Sequence, residues 1–269
     1  MSSSSPRDGA RVSGVSGVDA RPEPRAALFH DDALIAGTQI LLTESEARHI
    51  AVLRIGVGER VALRDGAGNV ANGTLVRVVR QQATVEVEDV RAVIPERPIH
   101  LLVPVADRER MLWLAEKAAE LNVASWRPVL WHRSKSVSPR GDGPTFRQMV
   151  RARMVSGLLQ SHSAWLPELY PEAPPERAIA ALPEGSRMVL DAGGAAPLTV
   201  AAAAPVVLAV GPECGFEPRE LDQLHESGFA SVSLGHSVLR FETAAIAGVA
   251  VARAMLSTSV PIHPATGAA

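Results

Sequence analysis

The chain has almost no cysteine: Cys214 is the single one among 269 residues. An intrachain disulfide is therefore excluded, and so is a thiolate cluster that would hold a metal. Such a composition fits a reducing cytoplasm. The sequence also lacks any uninterrupted apolar run of roughly 18 residues, so no membrane span is expected. Residues 1–25 are rich in Ser, Gly, Pro and Arg and have no apolar h-region. They read as a disordered tail rather than a secretory signal. The eight histidines show no ligand spacing, and no metal site is expected. No internal repeat is visible.

Strong charge of one sign is missing as well. The net charge of −2 does not advertise a nucleic-acid binder, but its distribution says more. From residue 105 to 163 there are ten Lys and Arg against five Asp and Glu. That stretch is a candidate for phosphate contact, with a solvated arginine-rich surface as the plain alternative.

Hydrophobic residues make up 46% of the chain, enough for a real core, and their patterning changes along it. Residues 28–93 carry short β-branched runs at 40–42, 60–64, 73–79 and 83–87. Gly56, Gly58, Asp65-Gly66 and Gln81-Gln82 punctuate them. Strands at such spacing suggest a small barrel. Thr43-Glu44-Ser45-Glu46 is a capping-box pattern that opens a helix continuing through residues 47–53. Residues 91–98, with two prolines, read as a linker. Strand-like runs then alternate with helical ones. Strands are expected at 99–103, 125–130, 187–190, 206–210 and 230–234. Helices are expected at 107–121, 145–160, 218–226 and 242–256. The alternation predicts an α/β domain with a largely parallel sheet. The organisation expected is a tail (1–25), a barrel (26–94), an α/β domain (98–257) and a flexible end (258–269).

Two loops carry the chemistry. Val210-Gly211-Pro212-Glu213-Cys214-Gly215-Phe216 follows one strand and precedes a helix. Leu234-Gly235-His236-Ser237-Val238-Leu239-Arg240-Phe241-Glu242-Thr243-Ala244 repeats that context within about 35 residues. In α/β proteins, ligands bind beyond the carboxyl ends of strands. Glycine there lets backbone approach a ligand closely. Asp191-Ala192-Gly193-Gly194 invites a Rossmann reading, but about 75 residues remain after it, too few for the rest of that fold.

These two loops resemble the C-terminal signatures of the RsmE family of SPOUT methyltransferases. The resemblance continues in Arg48-His49-Ile50-Ala51-Val52-Leu53-Arg54 with Val57-Gly58-Glu59. It continues also in Glu116-Lys117-Ala118-Ala119-Glu120-Leu121-Asn122-Val123 with Pro128 and Arg133-Ser134, and in Gln160-Ser161 with Trp165-Leu166-Pro167-Glu168. It implies a PUA-like RNA-binding barrel followed by a SPOUT domain with a trefoil knot, a homodimer, S-adenosylmethionine as cofactor, and N3 of a uridine in 16S rRNA of the small ribosomal subunit as target. By matching position, the cofactor would lie against Gly211, Pro212, Glu213, Gly215, Leu234, Gly235, Val238 and Leu239. A turn near Leu190 and Gly193 would form a third wall.

Uridine N3 bears a proton, so the implied site must take that proton and steady negative charge on O2 or O4. Glu213 and Glu242 are candidate bases and Arg240 the candidate cation. The plainer roles are a helix-start carboxylate for Glu242 and a loop-bracing ion pair for Glu213. Arg48, His49 and Arg54 from the barrel, and Lys117, Arg133 and Lys135 from the second domain, are candidate phosphate contacts. Lys117 and Glu120, three apart on one helix, also suit a simple pair.

The chain departs from the family pattern in several places. Cys214 stands where glycine is usual, which would strain the loop if that position needs a positive φ. Asn122 replaces another glycine, and asparagine tolerates left-handed backbone. Ser161-His162-Ser163 lacks an expected arginine, and Phe241 stands where threonine is common. Two rival readings follow. One is a SPOUT enzyme acting on ribose 2′-OH or on tRNA. The other is an RNA-binding ribosome-assembly factor without catalysis, which would not bind S-adenosylmethionine.

Overall fold

The computed structural model describes residues 23–79, 82–136, 140–196 and 203–258, with Lys135, Ser136 and Thr258 described through their backbone alone. Most of the expected tail, the end beyond residue 258 and the Lys135 side chain lie outside the described residues.

The first unit is a five-stranded sheet. Its strands are β1 (Ala27–Phe29), β2 (Gln39–Leu41), β3 (Arg60–Arg64), β4 (Asn69–Val79) and β5 (Gln82–Ala92), in the order β1-β3-β4-β5-β2. The β1–β3 pair is parallel and the others are antiparallel. The β4–β5 ladder shifts register at Asn72/Gly73 and at Leu75/Arg77, and such bulges bend a sheet toward curvature. Helix α1 (Glu44–Leu53) starts where the capping pattern places it, with the Thr43 hydroxyl accepting from Glu46 N at 3.3 Å. It lays Ala47 and Ile50 onto a core of Leu28, Val61, Leu63, Leu75, Val85 and Val87. Each such large apolar side chain contributes about 1.5–3 kcal/mol by leaving water.

The second unit is a six-stranded sheet, parallel at every pairing. It comprises β6 (Ile99–Pro104), β7 (Ser125–Val129), β8 (Glu168–Leu169), β9 (Ser186–Ala195), β10 (Val206–Ala209) and β11 (Phe229–Val232), ordered β11-β9-β10-β6-β7-β8. Helices cover both faces, as a parallel sheet requires. Helices α2 (Arg108–Glu120), α3 (Gly143–Gln160) and α6 (Phe241–Thr258) share one core with Leu101, Val103, Met188 and Leu208. Helices α4 (Pro175–Ala180) and α5 (Pro218–Glu226) bury Ala178, Ile179 and Leu224 on the opposite face, with Trp131 and Phe229. The helix expected to be apolar nearly all round, α6, is the one carrying Phe241, Ala245, Val249, Ala252 and Leu256 into the first core.

The structure departs from the sequence reading in three places. Residues 190–193, expected as a turn, belong to β9, which runs on to Ala195 because Gly194 lets the strand pass against Ser231: a Cβ there would stand 2.5 Å from Ser231 backbone. Helix α6 continues through Ser257, where fraying was expected, and the Ser257 hydroxyl donates to Arg253 O at 2.9 Å. The short elements β8 and α4 have no counterpart in the sequence pattern.

The two sheets meet along a seam. Gly68 N donates to Ala164 O at 2.9 Å and Leu166 N to Gly66 O at 2.8 Å. Trp165 Nε1 donates to Val93 O at 3.0 Å. Gly68 is needed there, since φ is +96° and a Cβ would stand 2.2 Å from the Trp165 ring. No helix among the described residues is long and apolar enough to cross a membrane.

Candidate active site

Strands β9, β10 and β11 lie side by side and in parallel, so the segments leaving their carboxyl ends gather at one edge of the sheet. They enclose a cleft of about 430 Å³. Nine of the ten sequence-assigned cofactor residues line it: Leu190, Gly211, Pro212, Glu213, Gly215, Leu234, Gly235, Val238 and Leu239. Gly193 does not, because the extended β9 carries it past the cleft, and Asp191 and Ala192 form that wall instead. Cys214, Phe216, Leu221, Val232, Ser233, Ser237, Phe241 and Ala244 complete the lining and were not assigned to the cofactor from sequence.

The first loop is held at both ends. Val210 N donates to Leu102 O at 3.0 Å, and Gly215 N closes a turn onto Pro212 O at 2.8 Å. Gly215 takes φ +72°, which glycine supports without strain. Cys214 is not among the positive-φ residues, so the feared strain is absent; it is exposed and unpaired with any other cysteine. Gly211 packs against the Phe216 ring, where a Cβ would stand 2.9 Å away. That ring in turn meets buried Trp131 edge-on, with centroids 4.9 Å apart. Helix α5 begins just beyond: Glu217 and Glu220 form a capping box, and buried Glu220 also accepts from His132 N at 2.8 Å.

Two arginines clamp the loop from outside. Arg110, in the first turn of α2, donates through Nη1 to Glu213 Oε1, and Arg133 donates through Nη1 to the Cys214 carbonyl. Arg133, proposed from sequence as a phosphate contact, is thus engaged with the loop. Arg110 also stands 3.9 Å, through Nε, from Glu242 Oε1. Glu242 sits at the start of α6, only 8% exposed, and its Oε2 has no hydrogen-bond partner among the described residues. The three candidate catalytic residues are therefore placed differently. Glu213 lines the cleft; Glu242 is joined to it through Arg110; Arg240 lies exposed beside the cleft without lining it. Arg110 escaped the sequence reading because nothing local connects it to a loop 103 positions away.

The second loop is looser. The Ser233 hydroxyl donates to Gly235 O at 3.1 Å, and Gly235 has φ +133°. Val238 is 93% exposed, although it is apolar and lines the cleft.

The remaining candidates lie outside the cleft. Arg48 is exposed and pairs with Glu44 at 2.8 Å. His49 is exposed on α1, and Arg54 is exposed at its C-cap in left-handed geometry at φ 54°. Lys117 donates to Glu120 at 2.6 Å and to Glu116 at 2.9 Å. Those bonds, with Glu120 the larger influence, raise its pKa and commit it to internal pairing. Asn122 takes the left-handed geometry that asparagine tolerates, at φ 54°.

Residues 94–253 match the family described as RNA methyltransferase domain, and residues 42–88 match the RNA methyltransferase PUA domain. The chain belongs to this RNA methyltransferase family, with a PUA-like unit before the catalytic one. Its relatives include proteins named ribosomal RNA small subunit methyltransferase E. The ribosomal RNA small subunit methyltransferase E of Aquifex aeolicus is 28% identical over 223 residues, covering 80% of this chain and 94% of its own. A methyltransferase from Legionella pneumophila, solved in complex with its cofactor SAM, is 26% identical, with a TM-score of 0.79 over 85% of this chain and 97% of its own. The methyltransferase E of Neisseria gonorrhoeae, solved with S-adenosyl methionine, shares the fold at a TM-score of 0.78 and 24% identity, over 86% of this chain and 98% of its own.

Proposed function

We propose that this protein transfers the methyl group of S-adenosylmethionine to N3 of a uridine in 16S rRNA of the small ribosomal subunit. The observation that carries this reading is the cleft shared by residues 190–192, 211–216 and 232–239 at the carboxyl edge of β9, β10 and β11. Its residues fit the cofactor. The volume of about 430 Å³ is that of a small-molecule site. Leu190, Leu234, Leu239 and Phe216 offer apolar surface to an adenine ring, while Asp191, Ser233 and Ser237 offer polar atoms to ribose and amino-acid groups. When bound, the cofactor supplies an electrophilic methyl on sulfur, which needs little further activation.

The work left to the protein is to make N3 a nucleophile. Glu242 is the acceptor this reading assigns for the N3 proton, because its Oε2 is buried and unpartnered while Glu213 is tied to Arg110. Arg240, exposed and making no side-chain bond among the described residues, is assigned to the charge that develops on O2 or O4. Positioning of the ring by the flanking loops supplies much of the rate.

The reading extends to a division of labour and to assembly. Residues 26–94 hold RNA, with His49 on α1 and Arg54 at its C-cap exposed to meet phosphate, and residues 98–257 perform transfer. The chain around the cleft forms a trefoil knot. Two copies pair, an arrangement supported by the apolar Val238 left exposed at the cleft. The enzyme works in the cytoplasm, where small subunits assemble.

Mass spectrometry of 16S rRNA nucleosides, after incubation with the protein and isotope-labelled cofactor, tests the reading. Label in N3-methyluridine is expected. Label in a 2′-O-methyl nucleoside, or in none, overturns it.

A further inference from the structure

Resting on that reading, we propose that the seam between the two sheets binds a phosphodiester of the RNA substrate, and that Arg64 and Arg91 are the groups that hold it.

Strand register supplies the first argument. Arg64 on β3 pairs with Val70 on β4, and Val70 pairs with Arg91 on β5. Directly opposed residues point to the same face of a sheet, so both arginines project on one side of Val70's rung. Two clefts open on that side, of about 530 Å³ and 410 Å³. Arg64, Val70, Arg91 and His162 line both. The larger runs along the first sheet; the smaller runs across the seam toward Asn122 and Trp165.

Charge accounting supplies the second. Arg64 is 9% exposed, and its Nε and Nη1 are buried with no hydrogen-bond partner among the described residues. Among the described residues its one side-chain bond is a long one, 3.4 Å from Nη2 to His162 O. Arg91 is exposed and makes no side-chain bond or ion pair among the described residues. The neighbouring cations are already served: Arg25 pairs with Glu59 at 2.5 Å and Arg60 with Glu88 at 3.0 Å. The carboxylates at hand are engaged too. Asp89 accepts from Asn72 N at 2.9 Å and from its Nδ2 at 3.1 Å. Glu96 accepts from Asn122 Nδ2 at 2.8 Å and forms an ion pair with Arg253, whose Nε lies 3.0 Å from its Oε2. Glu23 remains at the outer end of the larger cleft. Two guanidiniums thus line one space, neither in an ion pair with a carboxylate among the described residues.

A buried guanidinium without a partner is costly to keep, since burial disfavours its charge. Consistently, burial first and the Arg91 charge second press the Arg64 pKa downward. A phosphate offers what is missing, because its oxygens accept from a guanidinium fork in two parallel bonds. The position also suits a polymer. A strand lying across the seam reaches the first sheet and the catalytic unit together, which fixes register without reading bases.

The test is fluorescence anisotropy of a labelled small-subunit rRNA fragment across a range of KCl, on wild type, Arg91→Ala, Arg91→Lys and Arg64→Met. Calorimetry with S-adenosylmethionine runs on each variant. Arg91→Ala, exposed and safe for folding, is expected to weaken RNA binding about three- to tenfold and to flatten the plot of log K against log salt by about 0.7–0.9. Arg91→Lys restores most of both, and cofactor binding does not move. Arg64→Met, where it folds, gives the same direction. A wild type that methylates RNA, with Arg91→Ala keeping its full salt slope, overturns the seam site and leaves the enzyme reading intact. Tight binding of inorganic phosphate with an unchanged RNA slope overturns it in favour of a small-anion site. A wild type that binds neither cofactor nor RNA defeats the enzyme reading itself, and the seam site with it.

Discussion

Arg110 Nε stands 3.9 Å from Glu242 Oε1, and the same guanidinium donates to Glu213 Oε1, so one side chain of α2 links two loops that are adjacent in space but separate in sequence. The link orients the carboxylate assigned as base and fixes one wall of the cleft. Arg110→Met is expected to lower methylation about 10- to 100-fold by misplacing both groups. Stability should hardly change, because Arg110 is 33% exposed and Glu213 43%, and such pairs contribute about 0–1 kcal/mol. Steady-state kinetics beside a thermal melt checks both halves.

The two carboxylates should respond unequally. Glu242→Gln is expected to cost about 10²- to 10⁴-fold in single-turnover rate, the usual worth of a general base. Glu213→Gln, which keeps a hydrogen-bond acceptor for Arg110, is expected to act mainly on cofactor affinity. If Glu213→Gln proves the more damaging to the chemical step, the assignment of the base is reversed.

Packing of α2 on α3 depends on Gly157. A Cβ there would stand 2.3 Å from the backbone oxygen of Glu116, a contact that no side-chain rotation relieves. Gly157→Ala should destabilise the protein by about 1–3 kcal/mol through overpacking. Denaturant titration would show a lower midpoint at an unchanged slope.

Acid sensitivity should arise partly at His100. This β6 residue is half-buried, and its Nδ1 lies 2.8 Å from the Ser125 hydroxyl, which also accepts from Arg127 Nε at 3.2 Å. Burial first, then the Arg127 charge, hold its pKa below the ordinary 6.5. As pH falls below that value the unfolded chain takes up the proton before the folded one does, so stability declines until the depressed folded value is passed. His100→Gln should flatten this part of the pH–stability profile, measured by melts between neutral and mildly acidic pH.

The sequence resolves the long elements well because their cues are local. The Thr43 cap, the spacing of Met111, Leu114, Ala115 and Ala118, and Pro218 before α5 each act within a few residues. The two glycine loops were legible for the same reason, and their eight assigned cofactor residues do line one cleft. What escaped is long-range. Gly193 was misplaced because β9 continues only with β11 beside it, whose partner residues lie more than thirty positions on. Lys117, a phosphate candidate or a partner of Glu120 by sequence, donates to both Glu120 and Glu116, and Arg133, a phosphate candidate, donates to the Cys214 carbonyl 81 positions away. Arg110 and Arg64 carry no pattern of their own; their roles come from partners 103 and 98 positions distant.

Strand β6 pairs with β10, and α6 closes the core that β6 begins. Translation therefore delivers the first sheet complete while the catalytic half still awaits its last helix. The second core therefore cannot close until residues 241–258 are in place, whereas the first closes from residues 26–90 alone.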